Sequence, residues 1–395
     1  MKLKKMTAIL LVLLLLSVGV LPAFAADAVE PIAAETVTAP ETNAASTLDC
    51  TSAVLMDAAT GEILVAKNEN EALPPASVTK IMTLLLVMEA VDEGRVSLSD
   101  AVSVSERAAN MGGSQVYLKV GETMTLEEML KCVVIASAND CAVALAEHVA
   151  GSEVAFVGLM NKRAAELGMK NTHFENTNGL DDTVTNHVTS ALDIALMSRA
   201  LIAHPKILEY SGIWMDTIRD GAFGLTNTNR LVRFYRGCTG LKTGSTARAK
   251  FCMSATAERD GVSLIAVIMA APTRDARNNA AAALLDYGFA NYTTAKRAGE
   301  TLEMPVLGGV ADCVQVSYPD FLKTLSKGAD ARVEKKIEMD EALAAPIKAG
   351  DTVGRVVYLL DGKEIGDLPI TATADVAKIR FGTLLLRLLR GFAFR

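Results

Sequence analysis

Cysteine, histidine and aromatic residues are scarce in this 395-residue chain, and each shortage excludes a class of protein. The four histidines, His148, His173, His187 and His204, form no H-x-x-x-H pair, so we interpret them as structural and predict no metal site. The six cysteines contain no C-x-x-C pair, which excludes a zinc finger or a thioredoxin-like site. They are also too few for a disulfide scaffold. We therefore expect them to be mostly small buried hydrophobic residues, and a Cys238–Cys252 bridge stays open as an alternative.

The sequence also lacks a positive net charge. Its 39 lysines and arginines are outnumbered by 46 aspartates and glutamates, which gives a net charge of −7 and argues against nucleic acid as the main partner. Half of the residues are hydrophobic and 22% are charged, so the chain can bury a large core and global disorder is excluded. Its length indicates two or three domains.

The N-terminus has the pattern of an export signal. Three lysines lie within residues 1–5, an almost unbroken apolar run covers residues 8–20, and small residues follow. This order predicts a signal peptide over residues 1–25, cleaved after about Ala25. A retained membrane anchor is the alternative, although the apolar run is short for a spanning helix. Cleavage would remove three lysines and change the net charge from −7 to −10, leaving an acidic, extracytoplasmic protein.

The next segments divide the chain into a linker and a first domain. Residues 26–46 have the composition of a disordered linker, because they are rich in Ala, Thr, Glu and Pro and contain no aromatic residue. Over residues 47–298 the patterns predict a hairpin at 53–67, helices at 77–91, 125–136, 140–150 and 278–287, and strands at 237–244, 250–257 and 262–270. Helices in the middle with strands at both ends predict an α+β domain on an antiparallel sheet.

The C-terminal part changes character twice. Residues 299–375 alternate in short runs rich in Val, Gly and Asp, which predicts a small all-β domain. Residues 376–395 predict an amphipathic helix, with Phe381, Leu384, Leu385, Leu388, Leu389 and Phe392 on one face and Arg380, Arg387 and Arg390 opposite. No acidic residue follows Asp375. Such a helix suits the surface of an anionic membrane, and packing against the β domain is the alternative.

Ser77-Val-Thr-Lys80, at the start of the first predicted helix, is a candidate nucleophile and base. Residues three apart on a helix share one face, with Cβ atoms about 5–6 Å apart. A serine hydroxyl needs a base at neutral pH, and a lysine can serve if burial or a nearby cation lowers its pKa. The helix N-terminus adds free N–H groups for an oxyanion. Alone, however, an S-x-x-K pattern is expected by chance about once in a chain of this length.

Two further patterns follow in a defined order. Ser137-Ala-Asn139 lies between two predicted helices and supplies a hydroxyl and an amide. Lys242-Thr-Gly244 ends a predicted strand and supplies a cation, a hydroxyl donor and a glycine beside which a substrate backbone can lie. Each pattern alone is more often structural than functional. Their order, with spacings of 60 and 105 residues, is the specific evidence.

Together these patterns resemble the penicillin-binding protein and serine β-lactamase superfamily. The chain is most similar to the low-molecular-weight penicillin-binding proteins, the serine-type D-Ala-D-Ala carboxypeptidases. The resemblance covers about residues 48–375 and also includes the stretches PASVTKIMT (75–83), SAND (137–140), NTHF (171–174), NTNGL (176–180) and TNTNR (226–230). It implies a β-lactamase/transpeptidase-like α+β domain, covalent binding of β-lactam antibiotics, and no cofactor.

The resemblance also implies a role for each matching residue. Ser77 would be the acylated nucleophile and Lys80 its base. Ser137 and Asn139 would relay protons and bind the substrate amide.

A second group would bind the rest of the substrate. Lys242 and Thr243, followed by Gly244, would hold its terminal carboxylate. The backbone N–H groups of Ser77 and Ser245 would form the oxyanion hole. Arg277 is the candidate for a further contact to the carboxylate, with Arg274 as the competing choice.

The predicted function is therefore removal of the terminal D-alanine from peptidoglycan pentapeptide stems through an acyl-serine intermediate. A β-lactamase of the same fold is the first rival, but the E-x-x-L-N context of the class A deacylating glutamate is absent from the sequence. A non-catalytic binder of wall peptides is the second rival, and the complete set of acylation residues argues against it. The expected location is the cell envelope, with peripheral membrane attachment through the C-terminal helix.

Overall fold

The computed structural model describes residues 47–393, except for the side chains of residue 388 and of residues 390–393. The predicted signal peptide (1–25) and linker (26–46) lie outside the described residues.

A five-stranded antiparallel sheet organises the N-terminal part, with the strand order β2-β1-β9-β8-β7. Its strands are β1 (Ser52–Asp57), β2 (Ile63–Lys67), β7 (Cys238–Thr246), β8 (Lys250–Arg259) and β9 (Val262–Ala271). Two short hairpins, β3 (Ala101–Ser103) with β4 (Thr123–Thr125) and β5 (Met215–Ile218) with β6 (Phe223–Thr226), lie outside this sheet. The predicted hairpin and the three later strands are confirmed within a few residues.

Both faces of the central sheet are buried, which explains its nearly continuous apolar strands. In β1, Val54 and Met56 belong to one hydrophobic core, whereas Ala53 and Leu55 belong to a second. Successive side chains of a strand point to opposite faces, so a strand covered on both sides needs apolar residues throughout.

Helices form the layers on the two faces. They are α1 (Lys80–Asp92), α2 (Glu106–Ala109), α3 (Leu126–Lys131), α4 (Asn139–Ala150), α5 (Glu153–Glu166), α6 (Ala191–Ile202), α7 (Pro205–Ser211), α8 (Leu231–Phe234) and α9 (Arg274–Asn291). The predicted capping box is present, because Thr125 accepts from the Glu128 N–H and Glu128 bonds back to Thr125. Gly151 ends α4 with φ +78°, as predicted.

The sequence reasoning missed α5, α6 and α7. Local signals for them do exist: Ser152 and Ser190 cap α5 and α6 by accepting backbone N–H bonds, and Pro205 is the first residue of α7. Helix α9 also begins earlier than predicted, because Thr273 caps it at its N-terminus.

The C-terminal part is a β structure, as predicted. Its strands are β10 (Tyr292–Arg297), β11 (Thr301–Leu307), β12 (Cys313–Ser317), β13 (Phe321–Ser326), β14 (Val333–Met339), β15 (Leu343–Ala344), β16 (Thr352–Leu360) and β17 (Lys363–Ala372). Six of them form a sheet in the order β14-β16-β17-β12-β11-β15, and β10 pairs with β13. The first strand of the C-terminal part therefore begins at residue 292. The domain boundary at 298/299 stays a prediction.

Helix α10 (Phe381–Ala393) follows the β strands. The exposed apolar residues on it include Phe381, which is 80% exposed, and Leu385, which is 45% exposed. Arg387 faces the loop between β11 and β12 instead, donating to Asp312 Oδ1 at 3.0 Å and to the backbone O of Val310. Within residues 47–393 no single helix is long and apolar enough to cross a membrane. In the same range, only the bent pair α4–α5 has the combined length and composition of a membrane span.

All six cysteines are free thiols, so the alternative Cys238–Cys252 bridge is not formed. Cys238 lies opposite Ala257 and Cys252 opposite Gly244, so the two thiols are out of register across β7 and β8. Three cysteines are buried and two are half-buried. Cys313 is the exception to the expected burial, because it is exposed on β12.

Candidate active site

Ser77 lies in a single 3₁₀ turn, Ala76–Thr79, that runs directly into α1. Ala76 opens this turn with φ +49°, which places the chain in a left-handed conformation one residue before the serine. Lys80 is the first residue of α1 and is fully buried. Its Nζ lies 2.8 Å from Ser77 Oγ, 2.6 Å from Asn139 Oδ1 and 2.9 Å from the backbone O of Asn178.

The surroundings of Lys80 favour a neutral amine. Burial, followed by the nearby charge of Lys242, lowers the pKa of Lys80 well below its ordinary value. A neutral amine has two N–H donors and one lone pair. The oxygens of Asn139 and Asn178 can only accept, and the Asn139 amide is oriented because its Nδ2 donates to the Gly112 backbone O at 2.7 Å. The two donors are therefore used by these oxygens, and the lone pair is left for the Ser77 hydroxyl.

Ser137 lies at the break between two helical segments. A π-helical turn, Cys132–Ala136, ends at Ser137, whose φ of +63° is left-handed, and α4 begins two residues later. The next charged residue, Asp140, is buried and accepts the backbone N–H groups of Val116 and Leu118, both at 3.1 Å. This carboxylate ties the loop before α3 to the start of α4, so the loop and the Ser137 turn are held together.

Lys242 and Thr243 lie on β7, at the edge of the central sheet. Lys242 Nζ donates to Ser137 Oγ at 2.9 Å and to the Thr243 backbone O at 2.9 Å. Burial, followed by the charge of Arg277, lowers the pKa of Lys242 to about 7. The hydroxyl of Thr243 donates to Thr228 Oγ1 at 2.8 Å.

The packing of β7 requires a glycine at position 244, in addition to the room that a glycine gives the substrate. A Cβ at this position would lie 2.8 Å from the Ser77 N and 2.9 Å from the Pro75 O. Strand β7 therefore packs backbone-to-backbone against the turn that carries the candidate nucleophile, and a larger residue would push the two apart.

Both candidate arginines line the same cleft. Arg277 is buried and donates to Asn278 Oδ1 at 2.9 Å, whereas Arg274 is exposed. Burial, followed by the charge of Arg274, lowers the pKa of Arg277 to about 10. The cleft encloses about 260 Å³ and is lined by Ser77, Ser114, Ser137, Asn227, Thr228, Arg230, Thr243, Gly244, Ser245, Arg274 and Arg277.

Sequence reasoning assigned no role to several residues that support this cleft. Besides the Asn178 carbonyl, the packing of Gly179 is the clearest case: its φ is +83° and a Cβ there would lie 1.8 Å from the Ala76 O. His187 Nε2 lies 2.8 Å from Thr79 Oγ1, and its Nδ1 accepts the Glu175 N–H at 2.9 Å. Burial lowers the pKa of His187 to about 4, so the ring is neutral and its Nε2–H donates to Thr79.

The chain matches two family models in succession. The model described as D-alanyl-D-alanine carboxypeptidase matches residues 36–273, more than half of the chain, and the model described as penicillin-binding protein 5, C-terminal domain, matches residues 292–378. The chain belongs to the D-alanyl-D-alanine carboxypeptidase family.

Individual relatives of the enzyme agree. This chain is 43% identical to the D-alanyl-D-alanine carboxypeptidase DacF of Bacillus subtilis, over 85% of this chain and 88% of that protein. Its structure is similar to penicillin-binding protein 5 from Haemophilus influenzae, with a TM-score of 0.73, 33% identity, and 84% and 98% of the two chains covered. Penicillin-binding protein D2 from Listeria monocytogenes in its ampicillin-bound form matches with a TM-score of 0.57 and 32% identity, over 62% and 98% of the chains.

These comparisons confirm the family, the α+β fold followed by an all-β domain, and the carboxypeptidase activity predicted from the sequence. The enzyme is a serine peptidase of the penicillin-binding proteins.

Proposed function

We propose that Ser77 is the nucleophile that attacks the terminal D-Ala-D-Ala bond of a peptidoglycan stem peptide, with Lys80 as its general base. The observation that carries the proposal is the buried Lys80 amine, whose Nζ lies 2.8 Å from Ser77 Oγ. A neutral amine in this position removes the hydroxyl proton as the Oγ–C bond forms.

The remaining steps use groups in the same cleft. The tetrahedral oxyanion is bound by the backbone N–H groups of Ser77 and Ser245, and the proton held by Lys80 passes, with Ser137 as a relay, to the nitrogen of the leaving D-alanine. Cleavage of the C–N bond leaves an acyl-Ser77 ester. Water then attacks this ester and gives up a proton to Lys80. As the acyl C–Oγ bond breaks, Lys80 passes that proton to Ser77 Oγ, and the shortened peptide leaves with a new carboxylate.

The substrate carboxylate is assigned to Lys242, Thr243 and Arg277. Lys242 is held between Ser137 and the β7 backbone, and buried Arg277 adds a second cation beside the same strand. Both polar side-chain atoms of Asn139 already form hydrogen bonds: Oδ1 accepts from Lys80 Nζ, and Nδ2 donates to the Gly112 backbone O. We therefore propose that Asn139 positions Lys80, and a contact from Asn139 to the substrate amide stays a prediction.

The lining of the cleft favours a peptidase over a class A β-lactamase. The residues that line it in the described part of the chain include hydroxyls, amides and arginines but no carboxylate. A β-lactam would acylate Ser77 in the same way as the peptide, and the described lining of the cleft holds no side-chain carboxylate in the role of the class A deacylating glutamate.

The enzyme is expected to work outside the cytoplasm, at the membrane surface of the cell envelope. The export-signal pattern of residues 1–25 supports the first part of this proposal, and the exposed apolar residues of α10 support the second.

Covalent labelling tests the assignment of the nucleophile. Labelled penicillin should attach to the enzyme in a 1:1 ratio at Ser77, as mapped by peptide mass spectrometry. Ser77→Ala should abolish the label, and Lys80→Ala should nearly eliminate it. Label on Ser77→Ala, or on another serine of the wild type, would contradict the assignment.

Turnover separates the rival functions. D-Alanine release from a pentapeptide should exceed hydrolysis of a chromogenic cephalosporin by the same preparation. Rapid cephalosporin hydrolysis without D-alanine release would indicate a β-lactamase, and neither activity would indicate a binder.

A further inference from the structure

An arginine–aromatic ledge, formed by Trp214, Arg230, Arg233 and Phe234, adjoins the cleft. Arg230 itself lines the cleft, and its guanidinium lies 5.6 Å from the centre of the Phe234 ring. Arg233 lies 5.5 Å from the rings of both Trp214 and Phe234, and these two rings meet edge-on at 6.1 Å. Phe234 is 66% exposed, so its ring is accessible beside the cleft.

The two arginines of the ledge are held in place without being neutralised. Among residues 47–393, neither Arg230 nor Arg233 forms an ion pair with a carboxylate, and both side chains are exposed. An aromatic face fixes a guanidinium through its ring quadrupole and leaves the planar N–H fork free. The ledge therefore offers preorganised donors that match the geometry of a carboxylate.

The charge of the ledge contrasts with the rest of the protein. The whole chain carries −7, yet Arg230, Arg274 and Arg277 all line this one cleft. Clefts lined by one sign of charge focus the field and attract the opposite charge. In the proposed function Lys242, Thr243 and Arg277 take the terminal carboxylate, with Arg274 as the competing choice, which leaves Arg230 and its neighbour Arg233 for a different anionic group.

We propose that the arginine–aromatic ledge is a subsite for a second carboxylate of the substrate, so that the enzyme selects acidic peptides ending in D-Ala-D-Ala over neutral ones. This inference rests on the proposed function, because it requires the peptide to be cleaved at Ser77. Arg230 and Arg233 are specificity-determining residues in it, and Phe234 and Trp214 position them.

The test compares two synthetic peptides that end in D-Ala-D-Ala and differ only by Glu or Gln upstream of them. The wild type should show a kcat/KM for D-alanine release that is roughly fivefold higher on the Glu peptide, as expected for two exposed charge contacts. Arg230→Gln with Arg233→Gln should bring the ratio close to one, and added salt should lower the wild-type ratio in the same direction. Replacing both arginines by lysine should give an intermediate ratio, because the charge stays but the planar fork is lost.

A matched control carries the same change in net charge elsewhere. Arg95→Gln with Arg332→Gln removes two exposed arginines whose ion pairs lie outside the cleft, so it should keep the wild-type ratio. Penicillin labelling of each variant confirms that its active site is folded.

Four results would overturn the inference. Equal kcat/KM of the wild type on both peptides would do so while the proposed function stands, and so would a full Glu preference in the Arg230→Gln, Arg233→Gln variant. Release of D-alanine from neither peptide by the wild type would overturn the proposed function, and this inference with it. A loss of activity in the double variant that is equal on both peptides would show a general structural role for the ledge and contradict its selectivity.

Discussion

At the scale of single residues, the site depends on two lysines in different electrostatic situations. Lys80 is fully buried and lies near the cation Lys242, so its pKa is lowered well below the ordinary value. Lys242 is also buried, and its pKa is lowered to about 7. Two buried amines whose charges repel are most stable when at most one is protonated, which suits one as a base and the other as a cation.

The prediction at this scale concerns Lys242→Met, which keeps the apolar stem and removes the charge. We expect kcat/KM to fall about 10²-fold, as for the loss of one electrostatic donor. The charge of Lys242 lowers the pKa of Lys80, so its removal should raise that pKa. In the proposed mechanism acylation requires neutral Lys80, and therefore the acidic limb of the pH profile should move to higher pH.

Penicillin acylation rates measured across pH would check this, with thermal unfolding as the test of folding. An unmoved acidic limb together with activity within a factor of two of the wild type would make Lys242 a bystander.

At the scale of elements, the 3₁₀ turn of Ser77 is held on several sides by backbone contacts. Strand β7 approaches it at Gly244, and the segment before α6 approaches it at Gly179. His187 donates to Thr79, whose hydroxyl in turn donates to the Ala76 O at 2.8 Å. These contacts keep the left-handed Ala76 in place, and with it the orientation of Ser77 toward Lys80.

The prediction at this scale uses a matched pair of glycines. Gly179→Ala would bring a Cβ within 1.8 Å of the Ala76 O, so the turn must move. A shift of about 1 Å in the reacting groups can lower the rate about 10²-fold, and we expect a loss of that size in penicillin acylation. Gly168→Ala has a similar φ, +73°, but meets no atom within 4 Å. It should lose about 1 kcal/mol of unfolding free energy from backbone strain alone and acylate at the wild-type rate.

Acylation kinetics and urea unfolding of the two variants would test these two expectations. Equal acylation rates would show that the contact between Gly179 and Ala76 does not position the nucleophile.

At the scale of the whole molecule, apolar and basic surfaces are placed at different sites on an acidic protein. Arginines gather at the cleft, whereas exposed leucines and Phe381 gather on α10. Arg387 bonds to Asp312 and so ties α10 to the β strands through its basic side, leaving apolar residues outward. The contact of Arg387 with Asp312 therefore leaves the apolar residues of α10 available for the proposed membrane binding.

The prediction at this scale is that α10 binds anionic membranes. Leu385→Glu should greatly weaken co-sedimentation with anionic liposomes, since it places a charge on the apolar face. Thr383→Glu adds the same charge on the other side of the helical wheel and should weaken binding much less.

Truncation gives an independent check. Residues Lys378 and Ile379 still bond to Gly309 and Gly308, so the deletion should begin at residue 381 rather than 378. The truncated enzyme should stay in solution with unchanged turnover on small peptides. Equal liposome binding by full-length and truncated protein, both without residues 1–25, would rule out the anchor.

The sequence by itself determined most local structure and the residues of the site. The helices at Lys80, Leu126 and Asn139 and the strands of the central sheet follow from periodicity, caps and turns, which depend on neighbouring residues only. The three patterns around Ser77, Ser137 and Lys242 could also be predicted, because the sequence gives the chemical type and the order of the side chains directly.

Only the tertiary structure decided what surrounds those residues. The bond from Lys80 to the Asn178 carbonyl joins residues 98 apart and uses a backbone atom, which leaves no side-chain signal. The exposure of Cys313 and the contact of Arg387 with Asp312 likewise depend on which surfaces meet after folding. Burial, moreover, rather than residue type, lowers the pKa of Lys80, and burial is a property of the packed molecule.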